Sequence, residues 1–296
     1  MEREDKEWLL KNEKGELAVD EFKGKGDSLV EPQSLRNKKS FLLDIPVLNC
    51  YYKSRNIQVR QRDLTIFYKL VKMSNVSFDQ NDPEHVDILT NLYQLVFQKQ
   101  PESVLNDIVW EQLGFQNSKP GSDFRGGGLL SLTALYHLCS KEIAMVNDFM
   151  EFFKQKGNFL FACVVINSVY FLKCFFHFGV FRGYSKERDN KRTCSRLALK
   201  YFISLDEEGS WEQALNAFNE IIRVYNKKLY LYWKNSCLND DRITIMDFKV
   251  VDDEIQRIFI SCFENMAMMH NVNKRNSLSK FLTYFERFKV EKIVKV

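Results

Sequence analysis

The sequence predicts an all-α protein: a single multi-helix domain with a hydrophobic central helix and a flexible N-terminal tail. All five prolines lie at or before residue 120, so the sequence from 121 to 296 contains none. Apolar residues recur there at three- and four-residue spacing, which is typical of helices that bury one face. Hydrophobic residues make up 45% of the 296 residues, with 25 Phe and 12 Tyr, and this composition excludes a disordered or fibrous chain.

The N-terminal part of the chain differs in composition from the rest. Residues 1–39 are rich in charges of both signs and poor in large apolar side chains, so we interpret them as a flexible charged tail. Residues 40–79 are interpreted as an N-terminal helical extension. The chain opens without the apolar stretch of a signal peptide, and its seven cysteines form no C-x-x-C pair. Both observations favour a cytoplasmic protein with reduced cysteines.

The next helices can be predicted from local signals. Asp82 and Pro83 offer an N-cap and a first-turn proline for an amphipathic helix over 83–98. A shorter helix is predicted to run from Pro101 through Trp110 and to end at Gly114. Residues 116–128 are polar and rich in glycine, and we interpret them as a loop.

Residues 159–181 form the most hydrophobic part of the chain and are about long enough to cross a bilayer. Lys173 lies near the middle, and Asn167, Ser168 and His177 add further polar groups, all of which make a membrane span costly. We therefore interpret this segment as the hydrophobic central helix, buried on every face by other helices. A transmembrane span is the alternative.

The remaining helices are predicted from apolar spacing over residues 129–153, 209–235 and 245–270. Residues 182–200 are rich in bases, and we interpret them as a solvated connection, with contact to an acidic lipid surface or an acidic partner as the alternative. Residues 271–296 are expected to form a basic amphipathic C-terminal helix. This helix would either pack on the domain or lie on a membrane surface.

Common catalytic motifs are absent from the sequence, including the P-loop, the H-E-x-x-H zinc motif and the G-x-S-x-G nucleophile motif. The four histidines are at least 40 residues apart, so we expect no metal site and no cofactor. The net charge of +4 is too small to indicate nucleic-acid binding by itself, and none is expected. The sequence therefore does not predict an enzyme with a catalytic site of its own.

One polar constellation stands out, and it spans residues 110–128. It combines aromatic residues, charged residues, and glycines that permit a positive φ or a close approach of another chain. Its members are Trp110, Gly114, Phe115, Gln116, Pro120, Asp123, Phe124, Arg125, Gly126 and Gly128. Asp123 is placed to cap the following helix or to pair with Arg125. The constellation is thus either purely structural or a site that presents Arg125 to a partner.

The run WEQLGFQNSKPGSDFRGGGLLSL resembles the signature of the ELMO domain, W-x-x-x-G-F-Q…P-x-x-D-F-R-G-x-G-x-L-x-L. Residues 159–172 are also similar to the hydrophobic central helix of that family. The resemblance covers residues 80–270, which we take as the ELMO domain. The basic segment 182–196 is longer than the usual connection in the family, and residues 1–79 and 271–296 carry no resemblance to it.

The family has two branches, and the length of the chain favours one of them. Large engulfment scaffolds add armadillo-like repeats and a PH domain and work with a Rac exchange factor, and 296 residues leave no room for these. The chain resembles the small single-domain branch, whose members are implied to be GTPase-activating proteins for Arf-family and Arf-like small GTPases. The alternative is a non-catalytic interaction module or scaffold that binds a small GTPase or an exchange factor in engulfment, cytoskeletal or membrane-traffic signalling.

The resemblance also implies roles for individual residues. Arg125 is implied to be the catalytic arginine, supplied in trans to a small GTPase of the Arf or Arf-like family. Gln116 would orient the loop or place the attacking water, and Asp123 would hold Arg125 or the loop. The remaining residues would build the platform or let the loop approach the nucleotide: Trp110, Gly114, Phe115, Pro120, Phe124, Gly126 and Gly128. Peripheral contact with an anionic membrane is compatible with either function.

Overall fold

The structure is a computed structural model that describes residues 69–156, 160–176, 211–240, 242–268 and 277–288. The chain divides into two compact units, Met1–Arg60 and Gln61–Val296, and all described residues belong to the second. The predicted tail at 1–39, most of the predicted extension at 40–79 and the basic segment at 182–200 lie outside the described residues.

The described residues form an all-α fold, which confirms the predicted class. Its helices are α1 (Pro83–Phe97), α2 (Gly128–Lys141), α3 (Ile143–Lys156), α4 (Phe161–Phe175), α5 (Trp211–Asn239), α6 (Phe248–Met268) and α7 (Ser277–Arg287). Residues 69–75 are also helical. Short 3₁₀ helices lie at Ile108–Leu113, Pro120–Arg125 and Ile245–Asp247. No strand occurs in this part of the chain.

Helix α1 begins at the predicted residue for the predicted reason. The Asp82 carboxylate accepts a hydrogen bond from the Glu84 N–H at 3.0 Å, and Pro83 occupies the first turn, where its missing N–H is not needed. The helix ends at Gln98, which has a left-handed φ of 53°. The predicted helix over 83–98 is therefore confirmed to within one residue.

The short helix predicted from Pro101 starts too early, although its predicted end at Gly114 is confirmed. The chain forms only the 3₁₀ helix Ile108–Leu113, because Asp107 caps this later start: its carboxylate accepts from the Val109 N–H at 3.0 Å. The Asp107 backbone N–H donates to the Ser118 carbonyl at 3.0 Å. This N–H is therefore not available for a hydrogen bond within a helix that begins earlier in the chain.

The central helix of the described fold is α2. It packs against α1, α3, α4 and α5. Its apolar residues are buried on all sides, as expected for a helix surrounded by others. They include Leu130, Leu132, Ala134, Leu135, Leu138 and Cys139, each fully buried.

Helix α4 is the segment that the sequence predicts as the central helix, and that prediction is not confirmed. Asn167 and Tyr170 are exposed, Tyr170 by 40%. The exposed side exists because α4 packs against α2, α5 and the 3₁₀ helix Pro120–Arg125, which together cover only part of its circumference. Residues 177–181 of the predicted helix lie outside the described residues. No described helix is both long and apolar enough to cross a membrane.

The last described helix, α7, packs against α5 and α6. Phe281 and Phe285 are buried, and both rings make edge contacts with Phe259 of α6 at centroid distances of 5.3 Å. Lys228 of α5 donates from Nζ to the carbonyls of Phe285 at 2.8 Å and Phe288 at 2.6 Å, at the C-terminal end of α7. Phe281 and Phe285 of α7 are therefore packed within the protein, whereas Tyr284 and Phe288 stay partly exposed.

A polar network joins the end of α2 to α5. His137 Nε2 lies 2.8 Å from Glu220 Oε1, and Arg223 Nε donates to Glu220 Oε2 at 2.9 Å. Arg223 also pairs with Glu142, the residue between α2 and α3, and Lys227 approaches the same carboxylate at 3.2 Å. The network fixes the α2–α3 junction against α5.

This network predicts an acid-sensitive contribution to stability. The hydrogen bond from His137, assisted by Arg223, lowers the pKa of Glu220 below its ordinary value of 4.5 although burial opposes the shift. A depressed pKa stabilises the folded state above the ordinary pKa, and this contribution is lost as the pH falls through the folded-state value. Glu220→Gln should therefore lower the free energy of unfolding by about 1 kcal/mol or less near neutral pH, because Glu220 is partly solvated.

Denaturant titrations of the wild type and Glu220→Gln near pH 7 and well below pH 4.5 measure this contribution. The difference between the two proteins should shrink at low pH. Glu102→Gln, at an exposed carboxylate without an ion pair among the described residues, serves as the control. A Glu220→Gln difference that stays constant with pH would contradict the assignment.

Candidate functional site

The candidate site is the segment of residues 110–128, which leads from the end of the first 3₁₀ helix to α2. Trp110 anchors it and is fully buried. Its indole N–H donates to the Val104 carbonyl at 2.8 Å, so the polar end of the ring is satisfied in the core. Its ring meets Tyr93 of α1 and Phe115 edge-on, both at 5.3 Å between centroids.

A row of aromatic rings continues from Trp110 through the segment. Phe115 contacts Phe124 edge-on at 5.7 Å, and Phe124 lies 5.9 Å from Phe78, which precedes α1. Aromatic pairs of this kind contribute about 0.5–1.5 kcal/mol each beyond the area they bury. Phe115 and Phe124 are each only 1% exposed. The row therefore connects both 3₁₀ helices to each other and to α1.

Gly114 lets the segment lie directly on the start of α4. It ends the first 3₁₀ helix with a φ of +87°. A Cβ atom there would lie 2.2 Å from the backbone nitrogen of Phe161, a distance that no side chain can occupy. The Gly114 carbonyl also accepts from the Cys163 N–H at 3.3 Å. The contact between the two segments is therefore backbone on backbone.

Gly128 makes a second such contact at the start of α2. Its φ is +57°, and a Cβ there would lie 2.5 Å from the Val76 carbonyl oxygen. The same carbonyl accepts from the Leu129 N–H at 3.0 Å. The first turn of α2 is thus fixed to the residues that follow the 69–75 helical segment.

The two glycines between Arg125 and Gly128 have different surroundings. Gly126 has an ordinary helical φ of −70°, and a Cβ there would meet Tyr170 Cβ at 3.6 Å and Ile166 Cγ2 at 3.8 Å, which are ordinary contact distances, so this residue does not use a positive φ. Gly127, which the sequence did not single out, has no room for a side chain, since a Cβ would lie 2.6 Å from Val169 Cγ1. Sequence pattern does not distinguish members of a Gly-Gly-Gly run.

Asp123 closes the segment into a loop. Its carboxylate accepts from the Gln116 backbone N–H at 2.9 Å, and the side chain is buried. The prediction that Asp123 caps α2 is wrong: the N-cap residue is Gly127, because the 3₁₀ helix at Pro120–Arg125 turns Asp123 back towards Gln116. Among the described residues Asp123 also forms no ion pair with Arg125.

Cys163 of α4 lies beside this carboxylate, with Sγ 3.8 Å from Asp123 Oδ2. Burial, together with the negative charge of Asp123, raises the pKa of the Cys163 thiol to about 12. The thiol therefore stays protonated and serves as a weak donor. No three His, Cys, Asp or Glu side chains in the described ranges are placed to share a metal ion.

Arg125 is exposed at the end of the second 3₁₀ helix. Its neighbours in sequence are held by packing: Phe124 is buried, and Gly126 lies against Tyr170 of α4. Within the described part of the chain the guanidinium forms neither an ion pair nor a hydrogen bond. It therefore offers a planar set of N–H donors to an anion from outside the chain.

Gln116 and Pro120, two further predicted site residues, lie in the same loop. The Gln116 side chain is exposed, although its backbone N–H is held by Asp123. Pro120 is buried at the first position of the second 3₁₀ helix, where its fixed φ suits the turn. An open cleft of about 640 Å³ lies between residues 77–81 and 119–122, and neither Gln116 nor Arg125 lines it.

Sequence reasoning missed Lys173 of α4, which it considered only as a charge against a membrane span. The side chain is 6% exposed. Its Nζ donates to the Ser74 carbonyl at 2.6 Å and to Asn75 Oδ1 at 2.9 Å, and it lies 3.5 Å from the Gly126 carbonyl. Burial lowers the pKa of Lys173. The sequence contains no signal for this, because Ser74 and Asn75 lie about a hundred residues away along the chain and Gly126 lies 47 residues away.

The family assignment rests on a match of residues 68–252 to the ELMO/CED-12 family. The chain belongs to this family. The match extends from the 69–75 helical segment into α6 and includes the whole candidate site. The ELMO domain is a GTPase-interacting module. No solved structure matches the chain.

Curated relatives are similar over parts of the chain. ELMO domain-containing protein C of Dictyostelium discoideum is 30% identical over 116 residues, 39% of this chain and 18% of that protein. Human ELMO domain-containing protein 3 is 31% identical over 90 residues, 30% of this chain and 22% of that protein. ELMO domain-containing protein B of Dictyostelium discoideum is 24% identical over 163 residues, 53% of this chain and 57% of that protein. The chain therefore spans about a fifth of the first two and just over half of the third.

The glycine geometry predicts that two alanine variants differ strongly in their free energy of unfolding. Gly114→Ala combines a positive φ with a clash against the backbone of α4, and it should lower the free energy of unfolding by about 2–4 kcal/mol. Gly126→Ala has a helical φ and ordinary contact distances, so it should stay within about 1 kcal/mol of the wild type. Denaturant unfolding of both variants is the measurement. Equal stability of the two would contradict the backbone contact at Gly114.

Proposed function

We propose that this chain is a GTPase-activating protein for an Arf-family or Arf-like small GTPase, and that it supplies Arg125 in trans to stimulate hydrolysis of the bound GTP. The observation that carries the proposal is an exposed arginine without a hydrogen-bond or ion-pair partner among the described residues, on a backbone held on both sides by packing. The chemistry takes place on the nucleotide of the partner, so the chain needs no catalytic site or cofactor of its own.

Arginine suits this task because of where charge develops during hydrolysis. Negative charge in the transition state spreads over the oxygens of the γ-phosphoryl group, and a planar guanidinium can donate two hydrogen bonds to them at once. An arginine supplied by a partner protein accelerates hydrolysis by about 10³–10⁵. Within the described part of the chain Arg125 has no ion pair that must break first, so its donors are available on docking.

The residues around Arg125 support it in different ways under this proposal. Asp123 holds the loop closed through the Gln116 N–H, and the exposed Gln116 side chain is free to contact the GTPase or to help place the attacking water. On α4, the exposed Tyr170 lies next to Gly126, and the exposed Asn167 lies three residues before Tyr170 in the same helix. Tyrosine and arginine are enriched among residues that dominate binding at interfaces. We assign this side of α4 to the contact with the GTPase.

Substitution of Arg125 tests the proposal. Arg125→Ala should reduce stimulated hydrolysis by about 10³-fold or more, close to the intrinsic rate of the GTPase. Arg125→Lys should also lose most of the stimulation, because an ammonium cannot form the bidentate contact with the phosphoryl oxygens. Folding should be unaffected, since the side chain is exposed and forms no ion pair with any described residue. The measurement is single-turnover GTP hydrolysis across a panel of GTP-loaded Arf and Arf-like GTPases.

Lys119→Ala is the matched control, because Lys119 is an exposed cation in the same segment. Lys119→Ala should stimulate GTP hydrolysis to within a few-fold of the wild-type rate. Unchanged stimulation in Arg125→Ala would defeat the catalytic assignment. If the wild type binds a GTP-loaded GTPase without accelerating hydrolysis, the exposed side of α4 and Arg125 belong instead to a non-catalytic interaction module or scaffold.

We also propose that the chain works in the cytoplasm, in peripheral contact with anionic membranes. The Phe281 and Phe285 rings of α7 are packed within the protein, so the basic residues at 182–200 are the better candidates for this contact. Each base near an anionic surface contributes about 1 kcal/mol, and the attraction is screened by salt.

Vesicle binding tests the membrane contact. Binding to vesicles that contain phosphatidylserine should fall steeply as salt is raised, and vesicles of phosphatidylcholine alone should bind poorly. Replacing Lys186, Arg188, Lys191 and Arg192 by Ser should weaken binding to the anionic vesicles by about 10²-fold or more. Salt-independent binding, or no difference between the two kinds of vesicle, would contradict the proposal.

A further inference from the structure

Lys173 is a buried cation without a carboxylate partner among the described residues. Burial of an ammonium is costly unless its donors are satisfied, and an apolar residue would fill this position on α4 without that cost. The ammonium is satisfied here by three oxygen atoms from two other parts of the chain. The arrangement therefore calls for an explanation beyond the packing of α4.

Two of the three oxygens lie at the end of the 69–75 helical segment. The Ser74 carbonyl, 2.6 Å from Nζ, belongs to the last turn of that helix, where carbonyls lack partners within the helix. Asn75 Oδ1 accepts at 2.9 Å. A cation is favoured at this position because the helix dipole places partial negative charge there. Lys173 thus binds the end of this segment to α4.

The third oxygen belongs to the loop that carries Arg125. The Gly126 carbonyl lies 3.5 Å from Nζ, and Gly126 directly follows Arg125. Two residues before Arg125, Asp123 is fixed by the Gln116 N–H at 2.9 Å. The backbone of Arg125 is therefore held on its N-terminal side by a carboxylate and on its C-terminal side by an ammonium.

We propose that Lys173 is a positioning residue: its ammonium fixes the Gly126 carbonyl to the end of the 69–75 segment and so sets the orientation from which Arg125 reaches the partner. The effect on hydrolysis rests on the proposed GTPase-activating function. The effect on the loop does not. A displacement of about 1 Å at a catalytic group can cost about 10²-fold in rate, so an anchor of this kind matters even though it touches no substrate.

Lys228 provides a matched control for a purely structural role. It is also a partly buried lysine, and its Nζ donates to three carbonyls, those of Phe285, Glu286 and Phe288, at the end of α7. Helix α7 packs mainly on α5 and α6. Lys228→Met therefore removes a comparable set of contacts away from Arg125.

The test compares the wild type, Lys173→Met and Lys228→Met by hydrogen–deuterium exchange and by single-turnover hydrolysis. Lys173→Met should speed amide exchange over residues 122–129 by about tenfold or more, whereas Lys228→Met should speed exchange only around α7. In hydrolysis, Lys173→Met should lower the maximal stimulated rate by about tenfold or more and leave the half-saturating concentration within about threefold. Lys173→Arg, which retains charge and donors, should recover part of both losses.

Unchanged exchange over 122–129 in Lys173→Met would overturn the inference, as would parallel losses of rate in Lys173→Met and Lys228→Met. If the wild type stimulates no GTPase, the proposed function fails and the exchange comparison alone decides the role of Lys173. If Lys173→Met does not fold, Asn75→Ala removes one of the three acceptors at an exposed residue. It should then speed exchange over 122–129 by about threefold, and no change would overturn the inference.

Discussion

The candidate site depends on two places where backbone lies directly on backbone. Gly114 meets the start of α4 at Phe161, and Gly128 meets the Val76 carbonyl beside the 69–75 segment. Because no side chain separates these surfaces, no rotamer change can absorb a displacement, and the close packing of the interior transmits it to the loop between the two glycines. Arg125 lies in that loop. Its position is therefore set by contacts that involve no part of its own side chain.

The stabilising interactions and the proposed chemical group belong to different residues. Burial of Trp110, Phe115 and Phe124 holds the two 3₁₀ helices, and Asp123 and Lys173 hold the backbone on either side of Arg125. The Arg125 guanidinium itself forms no hydrogen bond or ion pair within the described residues. This arrangement matches the general requirement that a reactive group be held by supporting residues on a rigid scaffold. It also explains how a short loop can be ordered and still present a free cation.

Features with local causes could be predicted from the sequence. The start of α1 follows from Asp82 and Pro83 alone, and the burial of the aromatic residues in the signature follows from their size and spacing. The all-α class follows from the proline distribution and helical spacing. Residue types alone left two interpretations of residues 110–128, a structural loop or a site that presents Arg125 to a partner. The resemblance to the family signature favoured the second interpretation.

Features that depend on distant partners could not be predicted. Both α2 and α4 are strongly apolar, and only the positions of their neighbours make α2 the central helix and leave Tyr170 of α4 exposed. Asp123 suits either a helix cap or a loop closure, and the 3₁₀ helix at Pro120–Arg125 decides between them. Lys173 finds its partners in Ser74 and Asn75, which only the tertiary fold brings near it.

The central claim is that Arg125 acts on the charge that develops during GTP hydrolysis, and affinity for a transition-state mimic tests it most directly. The measurement is the affinity of the wild type and Arg125→Ala for the partner GTPase loaded with GDP alone and with GDP plus aluminium fluoride, which mimics the transferring phosphoryl group. The account predicts that the wild type binds the fluoride complex at least about 10²-fold more tightly and that Arg125→Ala loses this preference. Equal affinity of the wild type for both forms, or a preference that persists without Arg125, would contradict it.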